Sequence, residues 1–380
     1  MTLGLRLSLA AGLLAFAGCV STAHAARTRP EFCVMGHSWT LQQQTVRMGN
    51  QNVPVQARND LIDAAEQAVA DAGATCARVE VQASFIWGGV KGRLGGENAN
   101  FSRYDYIATH LAEHGIAMLP VILQYGGSRI HLTEGRNRAF TSPTDYADFA
   151  ATVTRWIVDH NSQMAAAHLP QITRVELMNE PNQRYWFMEP NDPATIAQFL
   201  KAGYAGVKSV DRDLFVFAPA LADGGRSHTN MFETMEGLYA AGCRIGECWD
   251  GISVHNFAWR TDPAQYEGPY YENQWQNYRG IEEIAARHGE PHVEICLTET
   301  GFTTGGGSTA ESPEEAAAHM ARAYEIAARD PHIACIVNAS IWDGDDGGGP
   351  FGALGLGSFV DGRFVPNQRY EVFRRWAKRA

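Results

Sequence analysis

The chain has 380 residues, of which 45% are hydrophobic and 19% are charged, a composition typical of a globular protein. Its formal net charge of −11 argues against a basic surface for nucleic acid or anionic lipid, so we expect neither as a partner. The length alone allows two or three domains, but α/β barrels of this size form one domain.

The N-terminus has the pattern of an export signal. The apolar run from Leu7 to Ala17 is too short to span a bilayer, and Ala23-His24-Ala25 supplies the small residues of a signal-peptidase site. Residues 1–25 are therefore predicted to be a signal peptide. In the alternative, residues 1–18 are a bacterial lipoprotein signal and Cys19 carries the lipid. Both interpretations predict export to the periplasm, to the medium or to the outer membrane as a lipoprotein.

Seven cysteines are present, and export permits disulfides. Cys243 and Cys248 are close enough in sequence to close a small disulfide loop. Four others lie at or near apolar strand segments, where buried free thiols are expected: Cys33, Cys76, Cys296 and Cys335. No Cys-x-x-Cys or paired Cys/His spacing indicates zinc, and we expect neither a metal nor a cofactor.

Short apolar runs alternate with longer amphipathic segments after Pro30. In the first half we predict strand Phe32–Gly36, helix Asp60–Ala72, strand Ala77–Val81, helix Tyr104–His114, strand Ile116–Leu123, helix Asp145–His160 and a fourth strand from Arg174. Apolar residues recur at helical spacing in the helices, and Gly73 and Gly115 end the first two. Pro181 ends the fourth strand.

The second half of the chain repeats this alternation of strands and helices. We predict a helix capped by Asp192-Pro193, strand Leu214–Ala218, helix Met231–Ala241, strand Ile252–His255, helix Trp275–His288, strand Val293–Glu299, a helix opened by the capping box Ser312-Pro313-Glu314-Glu315, strand Ala334–Ile341 and helix Tyr370–Lys378. Eight alternations predict an α/β fold, a (β/α)8 TIM barrel, as a single catalytic domain of residues 30–380. A doubly wound open sheet is the alternative, but no glycine-rich phosphate motif follows the first strand.

Two predicted strands deliver a glutamate at their C-terminal ends. Strand four ends in Asn179-Glu180-Pro181, and strand seven ends in Thr298-Glu299. Barrel enzymes carry their catalytic residues at these ends. Strands four and seven lie nearly opposite each other, so both carboxylates can point into one cleft. Retaining glycosidases need two carboxylates about 5 Å apart, and inverting ones about 6.5–9.5 Å. Glu176, lower in strand four, is not expected to be catalytic.

These strand ends resemble clan A of the glycoside hydrolases, in particular the family 5 cellulases and mannanases and the family 39 type. The resemblance covers the order of elements along the mature chain, whereas residue-specific matches are confined to the strand ends. It implies that Glu180 is the acid/base and Glu299 the nucleophile of a retaining glycosidase. It further implies that Asn179 binds the sugar 2-hydroxyl.

The same resemblance implies further substrate-binding residues. Arg78 on strand two matches an arginine that holds the nucleophile ionised, although it could also pair with Glu80 or Glu176. His255 and Trp342, at the ends of strands six and eight, fall on positions that these families use.

The resemblance is incomplete at one position. Family 5 enzymes often carry a tyrosine two residues after that histidine, and here Phe257 stands in its place. The missing hydroxyl could come from another residue, such as Tyr266. His37, at the end of strand one, is a further substrate-binding candidate.

Aromatic residues follow many predicted strand ends, and sugars stack their apolar faces on aromatic rings. These residues are Trp39, Trp87, Tyr125, Tyr185, Trp186, Trp259, Tyr270 and Trp342. Trp259 and Trp342 are the two that we expect to touch a carbohydrate substrate.

The sequence therefore predicts a monomeric retaining hydrolase of a β-linked poly- or oligosaccharide. A non-catalytic carbohydrate-binding protein on the same scaffold is an alternative, although binding alone requires no carboxylate pair. A metal-dependent barrel hydrolase is a third, but it would need His-x-His at strand one, where only His37 is present. The sugar, and endo or exo action, are left open.

Overall fold

The computed structural model describes residues 29–36, 45–48, 51–86, 99–124, 140, 142–183, 191–222, 230–269, 271, 273–344 and 351–379, and over 45–62 the backbone alone. The predicted export signal, with Cys19, lies outside these residues. So do His37 and six of the aromatic candidates: Trp39, Trp87, Tyr125, Tyr185, Trp186 and Tyr270.

Eight parallel strands form one closed barrel. They are β1 (Glu31–Met35), β2 (Cys76–Val81), β3 (Ala117–Ile122), β4 (Arg174–Leu177), β5 (Phe215–Ala222), β6 (Gly251–Phe257), β7 (Ile295–Gly301) and β8 (Ile333–Asn338). Each strand pairs with its successor in the chain, and β8 pairs with β1 to close the ring. The predicted (β/α)8 barrel is confirmed, and the open doubly wound sheet is wrong because no edge is left between β8 and β1.

Eight helices surround the described barrel. They are α1 (Val55–Asp71), α2 (Ser102–Glu113), α3 (Pro143–Ala166), α4 (Pro193–Val210), α5 (Met231–Ala240), α6 (Tyr278–Arg287), α7 (Pro313–Ala327) and α8 (Gln368–Ala377). Local sequence determines where two of these helices begin. Asp192 caps α4 and Ser312 forms the predicted capping box of α7, each before a proline at the first helical position. None of the described helices is long and apolar enough to cross a membrane.

Side chains along each strand alternate between the helical layer and the barrel interior. Val34 and Val79 pack outward in the large core beneath the helices. A separate inner cluster contains four cysteines and Phe217. The closed barrel thus has two apolar layers, and its interior is packed with side chains.

The inner cysteines form two disulfides, so the prediction of free thiols is wrong. Cys33 and Cys76 lie opposite each other on β1 and β2, and Cys296 and Cys335 lie opposite each other on β7 and β8. The Cα atoms of each pair are 4.7 Å apart, which is within reach of a disulfide. This pairing depends on strand register, which an unaligned sequence does not reveal.

The surface disulfide Cys243–Cys248, predicted from its short spacing, is present. Two hairpins and a short helix were not predicted: Thr45–Met48 with Gln51–Pro54, Gly357–Val360 with Arg363–Pro366, and Ala83–Ile86. The second hairpin lies between β8 and α8.

Candidate active site

The end of β4 is held in a strained conformation. Met178 and Glu180 have φ angles of 67° and 46°, in the left-handed region that non-glycine residues rarely adopt. Backbone bonds to both neighbouring strands fix this turn, because Met178 N donates to Ile122 O at 3.1 Å and Glu180 N donates to Ala220 O at 3.0 Å. Such strain persists where the surroundings over-determine it, and it clusters at functional sites.

The structure brings Glu180 and Glu299 together across the barrel mouth. One oxygen of each carboxylate and one ring nitrogen of His255 all lie within 4.8 Å of one another. His255 Nδ1 is 2.8 Å from Glu180 Oε1 and 3.5 Å from Glu299 Oε2, so this buried ring bridges the two acids. The Glu180 side chain is 14% exposed and that of Glu299 9%, so both border the solvent.

Arg78 organises the floor of the site from β2. Its Nε bonds Glu176 Oε2 at 2.6 Å, its Nη1 bonds Glu299 Oε1 at 2.7 Å, and its Nη2 donates to Asn179 Oδ1 at 2.7 Å. Burial by itself lowers the pKa of Arg78, but the attraction of Glu176 and Glu299 outweighs it and raises the pKa above its ordinary value. The guanidinium is therefore a fixed positive charge that favours the ionised form of Glu299.

Two glutamines hold the Asn-Glu pair. The side chain of Gln124, buried at the end of β3, accepts from Asn179 N at 2.9 Å and donates to Asn179 O at 2.7 Å. Gln183 donates to Glu180 Oε2. The sequence interpretation assigned no role to Gln124 or Gln183. For Arg78 the sequence left open a contact with the nucleophile candidate or with Glu176, and the structure shows both.

The remaining site candidates lie near the ends of β6 and β8. Trp342 is buried against Phe359 of the second hairpin, with ring centroids 5.6 Å apart. Trp259 follows β6 and stacks on Phe257, centroid to centroid 5.3 Å. The ring of Tyr266 lies 4.9 Å from the guanidinium carbon of Arg279 on α6, so its observed contact is with the helical layer.

The site has an excess of negative charge. Arg78 pairs with Glu176 and Glu299, whereas Glu180 contacts His255, so three carboxylates face one permanent positive charge. A proton on Glu180 or a positive charge on a bound molecule is therefore stabilised here. The ligand atoms of Glu180, His255 and Glu299 are close enough together for a metal ion. Arg78 already occupies Oε1 of Glu299 and would repel a cation there.

Comparison of the fold with solved structures finds glycosidases. A family 39 glycoside hydrolase from the gut symbiont Bacteroides cellulosilyticus WH2 superposes with a TM-score of 0.57 at 18% identity, over 92% of this chain and 64% of that one. A family 39 β-xylosidase from Caulobacter crescentus superposes with a TM-score of 0.58 at 15% identity, over 92% of this chain and 71% of that one. A fungal β-1,4-galactanase superposes with a TM-score of 0.57 at 14% identity, over 91% of this chain and 99% of that one.

The likeness is one of fold. No family model and no curated protein matches the sequence. The chain spans 64% of the length of the Bacteroides enzyme and 99% of the length of the galactanase. The comparisons thus agree with the (β/α)8 barrel as the fold of this chain.

Proposed function

We propose that this protein is a retaining glycoside hydrolase acting on a β-linked carbohydrate. The observation that carries the proposal is the pairing of Glu180 and Glu299 within 4.8 Å at the C-terminal ends of β4 and β7. Retaining enzymes hold their carboxyl groups about 5–5.5 Å apart and inverting ones at least about 6.5 Å. The shared barrel with family 39 glycosidases supports the same conclusion.

In the first step Glu299 is the nucleophile. Arg78 binds its Oε1 and keeps it ionised, which leaves Oε2 to attack the anomeric carbon. As the carbon–oxygen bond to the leaving group breaks, Glu180 transfers its proton to the departing oxygen. The products of this step are a free alcohol and a glycosyl ester of Glu299, with Glu180 now ionised.

In the second step water releases the sugar. Glu180, now a carboxylate, takes a proton from a water molecule while the water oxygen attacks the anomeric carbon. The bond between the sugar and Glu299 breaks in the same step. His255 Nδ1 contacts both acids, so the imidazole can stabilise whichever carboxylate carries the negative charge. Two inversions give net retention, and both acids return to their starting states.

A carbohydrate-binding protein without catalysis accounts poorly for this site. Binding a neutral sugar does not require three largely buried carboxylates, two on Arg78 and one on His255. Burying so many charges is costly, and binding alone would not offset that cost. The sugar itself is left open between xylan-, galactan-, glucan- and mannan-type substrates. We further propose that the enzyme is exported, as the signal pattern of residues 1–25 indicates.

The test is a hydrolysis screen on β-glucan, mannan, xylan, galactan and aryl β-glycosides. Glu180→Gln and Glu299→Gln should each lower turnover at least a hundredfold. Glu233→Gln, the same change at an exposed position on α5, should leave it unchanged. Wild-type turnover in either active-site variant would show the two-carboxylate mechanism to be wrong.

Azide rescue separates the two roles. Removing the acid/base by Glu180→Ala lets azide attack the glycosyl ester from the β-face, so a β-glycosyl azide is expected from an activated aryl glycoside. Removing the nucleophile by Glu299→Ala lets azide attack the sugar directly, which gives the α-glycosyl azide. The reverse pattern would exchange the two assignments.

A further inference from the structure

A second cluster of ionisable side chains lies in the helical layer. Asp63 and Glu66 are three residues apart on α1, and His110 lies on α2. One carboxylate oxygen of each acid and one ring nitrogen of His110 lie within 4.8 Å of one another. Residues three apart share one face of a helix, so α1 presents both carboxylates on the side where His110 lies.

Glu66 is the unusual member of this cluster. The residue is 0% exposed, and neither of its carboxylate oxygens has a hydrogen-bond partner in the part of the chain that the structure describes. A buried ionised carboxylate without a partner is strongly unfavourable. Burial raises the pKa of Glu66 to about 8, and repulsion from Asp63 adds to the effect. Among the described residues, this buried acid therefore has no hydrogen-bonding partner, and only the charge of Arg103 favours its ionised form.

The other two side chains are already oriented. Asp63 Oδ1 and His110 Nδ1 are 3.3 Å apart, and Tyr106 Oη donates to Asp63 Oδ1 at 3.1 Å. The Tyr106 and His110 rings pack with centroids 4.1 Å apart. Ligand atoms of a tetrahedral zinc ion are roughly 3.4 Å from each other, given bonds of about 2.0–2.2 Å. The Asp63–His110 spacing therefore already fits such an ion.

Access and charge also suit a cation. The side chains of Asp63 and His110 are 37% and 30% exposed, so the cluster is open to solvent on one side. Glu113 adds a further negative charge close to Glu66, and Arg103 adds a positive one. Even with Glu66 protonated, the two carboxylates of Asp63 and Glu113 outnumber the guanidinium of Arg103, so the local field is negative.

We propose that Asp63, Glu66 and His110 bind a divalent first-row transition metal ion, with Zn²⁺ as the best fit. Imidazole nitrogen favours zinc and its neighbours over Ca²⁺ and Mg²⁺, which prefer all-oxygen ligand sets. The bound ion would be the missing partner of Glu66 and would cross-link α1 to α2. Because His110 follows Glu66 by 44 residues and lies on a different helix, no short sequence motif marks the site.

A similar cluster on α6 and before β8 serves as the control. Glu282, Asp330 and His332 also offer ligand atoms within 4.8 Å of one another. Here the Glu282 side chain is 18% exposed, and its Oε1 lies 3.4 Å from His332 Nδ1, although that oxygen makes no hydrogen bond with the described residues. The same ligand types are thus present around an acid that, unlike Glu66, borders the solvent and has an ion-pair contact.

The experiment is calorimetric titration of ZnCl2 into the mature protein after chelator treatment. The Glu299→Gln background removes an active-site ligand from the competition. We expect one zinc ion per chain, at least tenfold weaker binding in Glu66→Gln and in the half-exposed His110→Gln, and unchanged binding in Glu282→Gln. CaCl2 should give no comparable binding. Zinc should also raise the melting temperature of the parent protein and of each variant that binds it, since the ion binds the folded state.

Three results would overturn the proposal. The first is an absence of zinc binding to the parent protein. The second is parental affinity in both Glu66→Gln and His110→Gln. The third is loss of binding in Glu282→Gln alone, which would move the site to α6. His110→Gln keeps the test decisive if Glu66→Gln fails to fold.

Discussion

At the scale of single residues, Arg78 is the centre of the site. One guanidinium contacts two buried or nearly buried carboxylates and the amide of Asn179. Each of these groups would be unfavourable in the interior by itself, and each is satisfied by the same side chain. The residue that binds the proposed nucleophile, Glu299, is therefore also a residue on which the interior of the barrel depends.

Replacing Arg78 by methionine should destabilise the fold strongly. The change leaves Glu176 and Glu299 uncompensated, and breaking a buried pair in this way costs about 3–5 kcal/mol. Urea unfolding of Arg78→Met measures the loss, and the double variant with Glu176→Gln should recover part of it. A loss below about 1 kcal/mol would mean that the ion pairs contribute little.

Glu176→Gln tests whether this carboxylate tunes the nucleophile. Glu176 and Glu299 both bind Arg78. Neutralising Glu176 therefore strengthens the attraction between Arg78 and Glu299, which favours the ionised form of this proposed nucleophile. The acid limb of the pH profile of kcat/KM should therefore move to lower pH, with the fold retained. A charge change at the neighbouring Gln124 could not replace this test, because Gln124→Glu would remove the hydrogen bond that Gln124 donates to Asn179 O. An unmoved acid limb in Glu176→Gln would contradict the coupling.

At the scale of elements, the two interior disulfides are the least expected feature. Each of them ties neighbouring strands, β1 to β2 and β7 to β8, on either side of the β8–β1 closure. Their sequence separations are 43 and 39 residues, for which chain-entropy arguments give roughly 4 kcal/mol each. Sequence spacing predicted Cys243–Cys248 because that loop is local, whereas pairing across strands requires the register.

These bridges predict the outcome of thiol labelling. In protein unfolded without reductant, an alkylating reagent should label none of Cys33, Cys76, Cys296 and Cys335, as read by peptide mass spectrometry. After reduction it should label all four. The short loop Cys243–Cys248 provides the internal control for an oxidised protein. Labelling of the four inner cysteines before reduction would contradict the bridges.

At the scale of the whole molecule, most of the fold was predictable and parts of the site were not. Apolar periodicity and the caps at Asp192 and Ser312 gave the number and order of elements, because these are local properties. Counting strands then placed Glu180 and Glu299 on one face of the barrel. The roles of Gln124 and Gln183 depend on the strained turn after β4, whose geometry no local pattern in the chain encodes.

Stability should also depend on pH through Glu282. Burial, followed by repulsion from Asp330, raises the pKa of Glu282 from 4.5 to about 8, with Arg279 opposing. The folded state thus binds a proton that the unfolded state has lost, so this contribution is complete below about pH 4.5 and is lost as the pH rises to about 8.

Glu282→Gln stays neutral and lacks this dependence. Its unfolding free energy relative to the parent protein should rise between pH 4.5 and pH 8, by an amount on the order of a few kcal/mol. Urea unfolding in the presence of a chelator measures the difference at each pH. A difference that does not vary with pH would show that Glu282 is ionised in the folded protein.

The central claim is that Glu180 and Glu299 act by double displacement, and the stereochemistry of the first product tests it most directly. Proton NMR of the anomeric signal, followed from the first minutes of hydrolysis of the best β-glycoside found in the screen, distinguishes the two outcomes before mutarotation mixes them. The β-anomer should appear first, with the α-anomer growing in later. Initial release of the α-anomer would mean inversion, and would contradict the assignment of Glu299 as a nucleophile.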